Sequence, residues 1–317
     1  MGKIKETISA FRNDGSDPRK NDAWRILLFA LNNSGGLSIM HLMGKWSYYT
    51  QNVLQLGVFL SSVVMFMTLL DAVTDPLIAN WFDRFESKHG KLRPFMLMGC
   101  IMSFVPAVVI FCYPVNAKIP LWATYAILTL MYAIIVVGNT ITMTATRAGQ
   151  AIITQDPGQR PLYALGQTVF DAIVMAFVSL VVTGDIIGKM QDALVWRVSI
   201  MVLSVVSVIL VLIAMQAIKN RDNKTYYSVS EKHEKVKITE FLNLVKRSKP
   251  MRSLIAATAS DALAAGVRAT LAIYLFANII MQRSLSATFE IVSGVLLCAP
   301  NINCLLGKGF WNAKLRI

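Results

Sequence analysis

Long apolar runs alternate with short polar blocks along this chain. Eight runs stand out, at about 24–46, 54–79, 94–114, 120–142, 163–184, 195–217, 251–278 and 286–306. Each approaches or exceeds the roughly 18 residues that mark a segment able to cross hydrocarbon as a helix. In lipid, every backbone N–H and C=O must be satisfied inside its own segment, so the pattern predicts helices and not strands. The expected fold class is all-α integral membrane.

Composition sharpens the picture. Of 317 residues, 55% are hydrophobic and 15% charged, whereas a soluble domain carries about a quarter charged. One core cannot hide so much apolar surface, which argues against a soluble enzyme. The net charge of +13 would suit nucleic acid, but the basic residues sit in blocks between apolar runs and form no folded reading module. Lys and Arg number six in the tail up to Arg25, four in 80–93, two in 143–162 and ten in 218–252, together 22 of 31. The alternate loops hold Lys45, Lys118, Lys189, Arg197 and Arg283. The positive-inside rule then puts the N-terminus of a multi-pass cell-membrane protein in the cytoplasm, its basic loops facing anionic lipid. The polar N-terminal stretch does not read as a secretory signal. The cysteines (Cys100, Cys112, Cys298, Cys304) lie in apolar runs without zinc spacing, and His41, His89 and His233 lack partner spacing. No catalytic group, cofactor or metal centre is expected.

The longest polar segment, 218–250, follows six apolar runs and precedes two. Six helices and a long cytoplasmic loop form the first half of a two-half transporter plan, with the solute near the bilayer midplane. The expected domains are a six-helix half over 1–217, a middle loop over 218–250, and an incomplete second half over 251–317. Within the loop, Ile238, Phe241, Leu242 and Val245 recur at helical spacing, which fits an amphipathic surface helix or a plain solvated linker.

The chemistry concentrates in residues 71–99. Asp71 and Asp75 are one helical turn apart and share a face. Apolar residues precede and follow them, so both fall within the predicted second helix. A charged Asp at the bilayer centre costs about 2.5–3.5 kcal/mol on insertion scales, and such residues mark ion or proton paths. Two at this spacing repel unless a cation or a shared proton lies between them. Hard carboxylate oxygens suit a small cation such as sodium, and Pro76 frees a backbone carbonyl that adds a further oxygen. The competing reading ends the helix at Leu70 and makes both acids caps, or ion-pair partners of Arg84 or Arg93. The following loop carries Asp83-Arg84 and then Gly90-Lys91-Leu92-Arg93-Pro94. Asp83 with Arg84 or Arg93 fits a gating latch, Lys91 adding to its charge; the alternative is topology-setting charge alone.

An Asp-x3-Asp-Pro helix, then Asp-Arg, then Gly-Lys-x-Arg-Pro resembles the glycoside–pentoside–hexuronide:cation symporters, the melibiose-carrier-like branch of the major facilitator superfamily. The match is strongest over about residues 48–100, and Tyr48-Tyr49-Thr50 and the loop from Asp156 to Arg160 also fit. The resemblance implies twelve helices in a full-length member, here a six-helix half plus the first two helices of a second. It implies uptake of a sugar or glycoside coupled to a monovalent cation, sodium or a proton. Asp71 and Asp75 match the family's cation-site carboxylates, Thr74 a polar neighbour, and Thr140 a further cation-site oxygen. The first-helix acid of the better-known sugar carriers falls at Gly35, beside Asn32, Asn33 and Ser34. Their fourth-helix acid falls near Met143, and their fifth-helix Arg at Gln167 or Thr168. These departures point away from a melibiose-type solute. They leave an uncharged polar lining of Asn32, Asn33, Gly35, Asn139 and Gln167 as candidate substrate contacts.

Other intramembrane groups have two readings each. Arg147 reaches the cavity or the cytoplasmic interface. Asp171 lines the cavity or pairs with a neighbouring helix. Asp261 and Arg268 share a face as a structural pair or a substrate contact. Trp24, Trp46, Trp122 and Trp196 fall near helix ends, as in an aromatic belt. Two other functions compete with symport: a truncated, non-transporting fragment, and a membrane scaffold that docks partners through the middle loop.

Overall fold

The computed structural model describes residues 20–57, 59–85, 87–88, 90–114, 119–156, 159–183, 192–223 and 247–280, with isolated positions between 285 and 293. Among the described residues the chain is helical and contains no strand. Helix α1 (Ala23–Met43) leads into a single turn, α2 (Trp46–Tyr48), which widens into a π-helical turn at Tyr49–Val53. Then follow α3 (Phe59–Arg84), α4 (Leu92–Cys112), α5 (Leu121–Ile153), α6 (Arg160–Thr183), α7 (Ala193–Ile218) and α8 (Lys249–Tyr274). The first seven expected apolar runs each coincide with a helix. The eighth, 286–306, lies outside the described residues apart from isolated positions, and so does the amphipathic stretch of the middle loop at 238–245.

Among the described residues, five segments are long and apolar enough to cross a bilayer: Ala23–Val53, Leu92–Cys112, Leu121–Ile153, Arg160–Val182 and Ala193–Ile218. Helix α3 spans 26 residues and carries Asp71, Asp75, Asp83 and Arg84. Leu97, Ile101, Val105 and Val109 recur every fourth residue on α4, and all are exposed. An i, i+4 stripe of large aliphatic side chains facing outward is what a helix bordering lipid presents.

Helix α1 sits at the centre, packed by α5, α6 and α7. Its small and polar middle lets each neighbour approach closely. Asn32 faces α5, Asn33 and Ser34 face α6, and Gly35 and Ser38 face α7. The tightest pair is α4 with α5, where Gly99 and Gly138 bring the backbones together. A Cβ on Gly138 would lie 2.8 Å from the Met102 carbonyl carbon, closer than atoms tolerate, so this helix pair is a small-residue packing of the kind membranes favour. Helix α3 leans chiefly on α5.

Two of the expected belt tryptophans behave otherwise. Trp24 and Trp122 are exposed, but Trp46 and Trp196 are fully buried, at 0%. The Trp196 indole stacks on Phe111, with centroids 5.7 Å apart, and Tyr49 packs against both. The Trp46 indole N–H donates to the Leu60 carbonyl at 2.9 Å. That bond satisfies the polar edge inside the protein, so the ring has no need of the headgroup layer.

Candidate functional site

Helix α3 runs unbroken through Pro76 to Arg84, so the reading that ends it at Leu70 is overturned. Asp71 therefore lies near the midpoint of the helix, with Asp75 one turn further on. Asp71 is half-buried and Asp75 exposed. The Thr140 hydroxyl of α5 donates to Asp71 Oδ1 at 2.7 Å. It also lies 3.2 Å from the Val136 carbonyl of its own helix. A hydroxyl has one proton to give, and the shorter, charge-assisted contact to Asp71 takes it. Asp75, Arg147 and Tyr132 all lie within electrostatic reach of Asp71. Arg147 is exposed, on α5 seven residues beyond Thr140, so it shares the face that carries Thr140. Thr74 is engaged locally, its hydroxyl donating to the Asp71 backbone carbonyl at 3.2 Å. Asp71 and Thr140 are thus brought together, with Asp75 one turn along the same helix, while Thr74 turns to the helix backbone.

A second polar cluster forms between α1 and α6. Asp171, near the midpoint of α6, accepts from Asn33 Nδ2 at 2.8 Å on Oδ2 and from Ser34 Oγ at 2.6 Å on Oδ1. Gln167, one turn before it, hydrogen-bonds the same carboxylate. Beside this cluster, Asn32 Nδ2 donates to Thr146 Oγ1 at 2.8 Å, and the Thr146 hydroxyl donates to the Thr142 carbonyl at 2.8 Å. Among the substrate candidates, Asn33 and Gln167 meet on Asp171, and Asn32 faces α5. Asn139 is half-buried on α5 with no partner for its amide oxygen. Gly35 packs away from this cluster, on Val211 and the Ser207 carbonyl of α7. Sequence reading left Asp171 undecided, because spacing along one helix does not say which helix stands opposite.

The loop between α3 and α4 is pinned by a residue that sequence reading missed. Asp222, just past α7, is buried and accepts from the backbone N–H groups of Lys91, Leu92 and Arg93 at 2.9, 3.1 and 3.2 Å. It also accepts from Arg93 Nε at 3.1 Å. Lys91 Nζ donates to the Asp83 backbone carbonyl at 2.8 Å, while the Asp83 and Arg84 side chains are exposed at the end of α3. The carboxylate that meets Arg93 is thus Asp222. The signal available in the sequence was an acid in an otherwise basic stretch at the end of the sixth run. The side chains of Asp261 and Arg268 lie outside the described residues.

Residues 32–306 match the family described as MFS/sugar transport protein. The chain is 31% identical over 153 residues to YagG of Escherichia coli strain K12, provisionally named a glycoside/cation symporter, covering 44% of this chain and 32% of that protein. It is 24% identical over 198 residues to YnaJ of Bacillus subtilis strain 168, named a symporter, covering 60% and 40%. It is also 31% identical over 106 residues to YicJ of Escherichia coli strain K12, named an inner membrane symporter, covering 32% and 22%. The matches thus span less than half the length of these relatives. Helical architecture, membrane-spanning segments and a family match over most of the chain agree: the chain belongs to the MFS/sugar transport family, a family of transporters and not of enzymes.

Proposed function

We propose that this chain takes part in cation-coupled transport of a sugar or glycoside, with the coupling ion, sodium or a proton, held at Asp71 and Asp75. The observation that carries the reading is the Thr140–Asp71 contact between two mid-helix positions. A threonine hydroxyl aimed at an intramembrane carboxylate, with a second carboxylate one turn away, is an oxygen-rich, electronegative pocket. An incoming cation replaces the Thr140 proton as the partner of Asp71. The hydroxyl then swings to its alternative acceptor, the Val136 carbonyl, and presents a lone pair to the ion. One positive charge held between Asp71 and Asp75 offsets their mutual repulsion and draws α3 onto α5. The solute side is the polar middle of α1 with Asn139 and Gln167. Asn32 on Thr146 links α1 to the same helix that carries Thr140, so ion and solute bias one packing arrangement. That coupling is reciprocal by linkage.

In this reading residues 1–217 form one six-helix half, 218–250 the cytoplasmic middle loop and 251–317 the opening part of a second half. The N-terminus and the loop bearing Asp83, Arg84, Lys91 and Arg93 face the cytoplasm, where that loop gates the inner end.

The test is uptake of radiolabelled methyl glycosides by vesicles carrying the chain, under an imposed sodium gradient and, separately, a proton gradient. One of the gradients should stimulate uptake of at least one glycoside, and Asp71→Asn should abolish the stimulation. Uptake indifferent to both gradients, or fully stimulated in Asp71→Asn, would overturn the assignment.

A further inference from the structure

We infer that Asp171 is a solute-binding carboxylate, and that it commits the site to an uncharged, polyhydroxylated solute and against a uronate. This rests on the transport reading above and narrows it. Asp171 has no lysine, arginine or histidine partner among the described residues; its contacts are the neutral donors Asn33, Ser34 and Gln167. A helix-to-helix tie at this depth needs no carboxylate, since a neutral amide or hydroxyl makes it at lower desolvation cost. Each carboxylate oxygen offers about two lone-pair directions. One side chain from α1 occupies each oxygen and Gln167 takes a third lone-pair direction, which orients the group and leaves accepting capacity for one further donor. The residue is only half-buried. The lone pair left over accepts from a hydroxyl of a sugar ring.

The surroundings have the same polarity. The amide oxygen of Asn32 is buried without a partner, and so is that of Asn139. Buried polar atoms without partners are rare and call for one. Asn139 stands two turns from Thr146 on the same face of α5, the face against which Asn32 bonds. Three acceptors with lone pairs unused, and no cation beside Asp171, require a ligand rich in donors and free of negative charge. A neutral pyranoside or pentoside meets both conditions; a glucuronide carries its own carboxylate towards Asp171.

The experiment measures binding of tritiated methyl β-D-glucoside, methyl β-D-galactoside, methyl β-D-xyloside and methyl β-D-glucuronide to the full chain in proteoliposomes. Sodium-dependent quenching of tryptophan fluorescence is read in parallel. At least one neutral glycoside should bind tenfold or more tightly than the glucuronide. Asp171→Asn should weaken that neutral glycoside at least tenfold and narrow its margin over the glucuronide, with the sodium response held within twofold. A purely structural tie would leave the margin unchanged. Preference for the glucuronide by the unaltered chain overturns the inference without any variant, and so covers the case in which Asp171→Asn fails to fold. Neutral glycosides that bind equally well to Asp171→Asn overturn the inference and leave the transport reading standing. No binding of any glycoside by the unaltered chain overturns both.

Discussion

A single proton on Thr140 decides much of the proposed cation site. It lies 2.7 Å from Asp71 and 3.2 Å from the Val136 carbonyl, so one hydroxyl has a choice of two acceptors. Thr140→Val keeps shape and removes that choice. It also removes the hydroxyl oxygen proposed to ligate the bound ion, a polar contact of about 0.5–1.5 kcal/mol net, so the coupling-ion concentration for half-maximal stimulation should rise roughly two- to tenfold. Uptake titrated against that ion checks it; an unchanged midpoint would remove Thr140 from the site. The two carboxylates were legible in the sequence because i, i+4 spacing is a property of one helix. Thr140 came from resemblance to a family and not from its own surroundings. The bonds from Asn33 and Ser34 to Asp171 were not legible at all, since 138 and 137 residues separate the partners and only the packing of α1 on α6 joins them. Trp46 and Trp196 were misread for the same reason: a tryptophan near a helix end looks alike whether the next surface is lipid or another helix.

At the scale of elements, the entry into α4 shows how a helix terminus is completed from elsewhere in the chain. The first backbone donors of a helix have no partner within it, and Lys91 at the start of α4 supplies no side-chain cap. Asp222 supplies the missing acceptor from the end of α7, its side chain fully buried at 0%. Gly90 stands at φ +92°, and a Cβ there would run into the Asp222 carboxylate, so this glycine is required twice over. Asp222→Ala leaves three backbone donors and a guanidinium without their acceptor. Each buried donor left unsatisfied costs about 1–3 kcal/mol where water cannot reach it, so thermal unfolding in detergent should move several degrees lower. Asp222→Asn should recover part of the loss, because one amide oxygen still accepts. Helix α4 makes a second prediction through its other contact. Gly138→Leu drives a branched side chain into the Met102 backbone, and folded yield in detergent should fall sharply, while Leu97→Ala on the exposed stripe should leave it unchanged.

For the whole molecule, the geometry joins four chain segments at one end. Asn21 and Gln159 exchange hydrogen bonds at 3.0 and 2.9 Å, and Asn21 Nδ2 reaches the Ile153 carbonyl at 2.9 Å. The Arg221 guanidinium donates to the Lys20 carbonyl, and Asp222 holds residues 91–93. The N-terminal tail, the loop before α4, the loop before α6 and the end of α7 therefore share one side of the bundle. These described residues belong to the four segments that hold 22 of the 31 Lys and Arg, so the contacts group the ends of those segments as the charge does. Contacts alone do not say which side is cytoplasmic; under the positive-inside rule the charge bias favours the proposed cytoplasmic side. In a background with the four native cysteines replaced by serine, Lys88→Cys and Pro114→Cys place one thiol at each end. In right-side-out vesicles, a membrane-impermeant maleimide should label the cysteine at position 114 directly and the one at 88 only after the vesicles are opened. The opposite pattern would invert the topology and place the loop carrying Arg84, Lys91 and Arg93 outside, where it could not gate the inner end. Equal labelling at both positions would mean that α4 does not cross the bilayer, and the midplane location of Asp71 and Thr140 would fall with it.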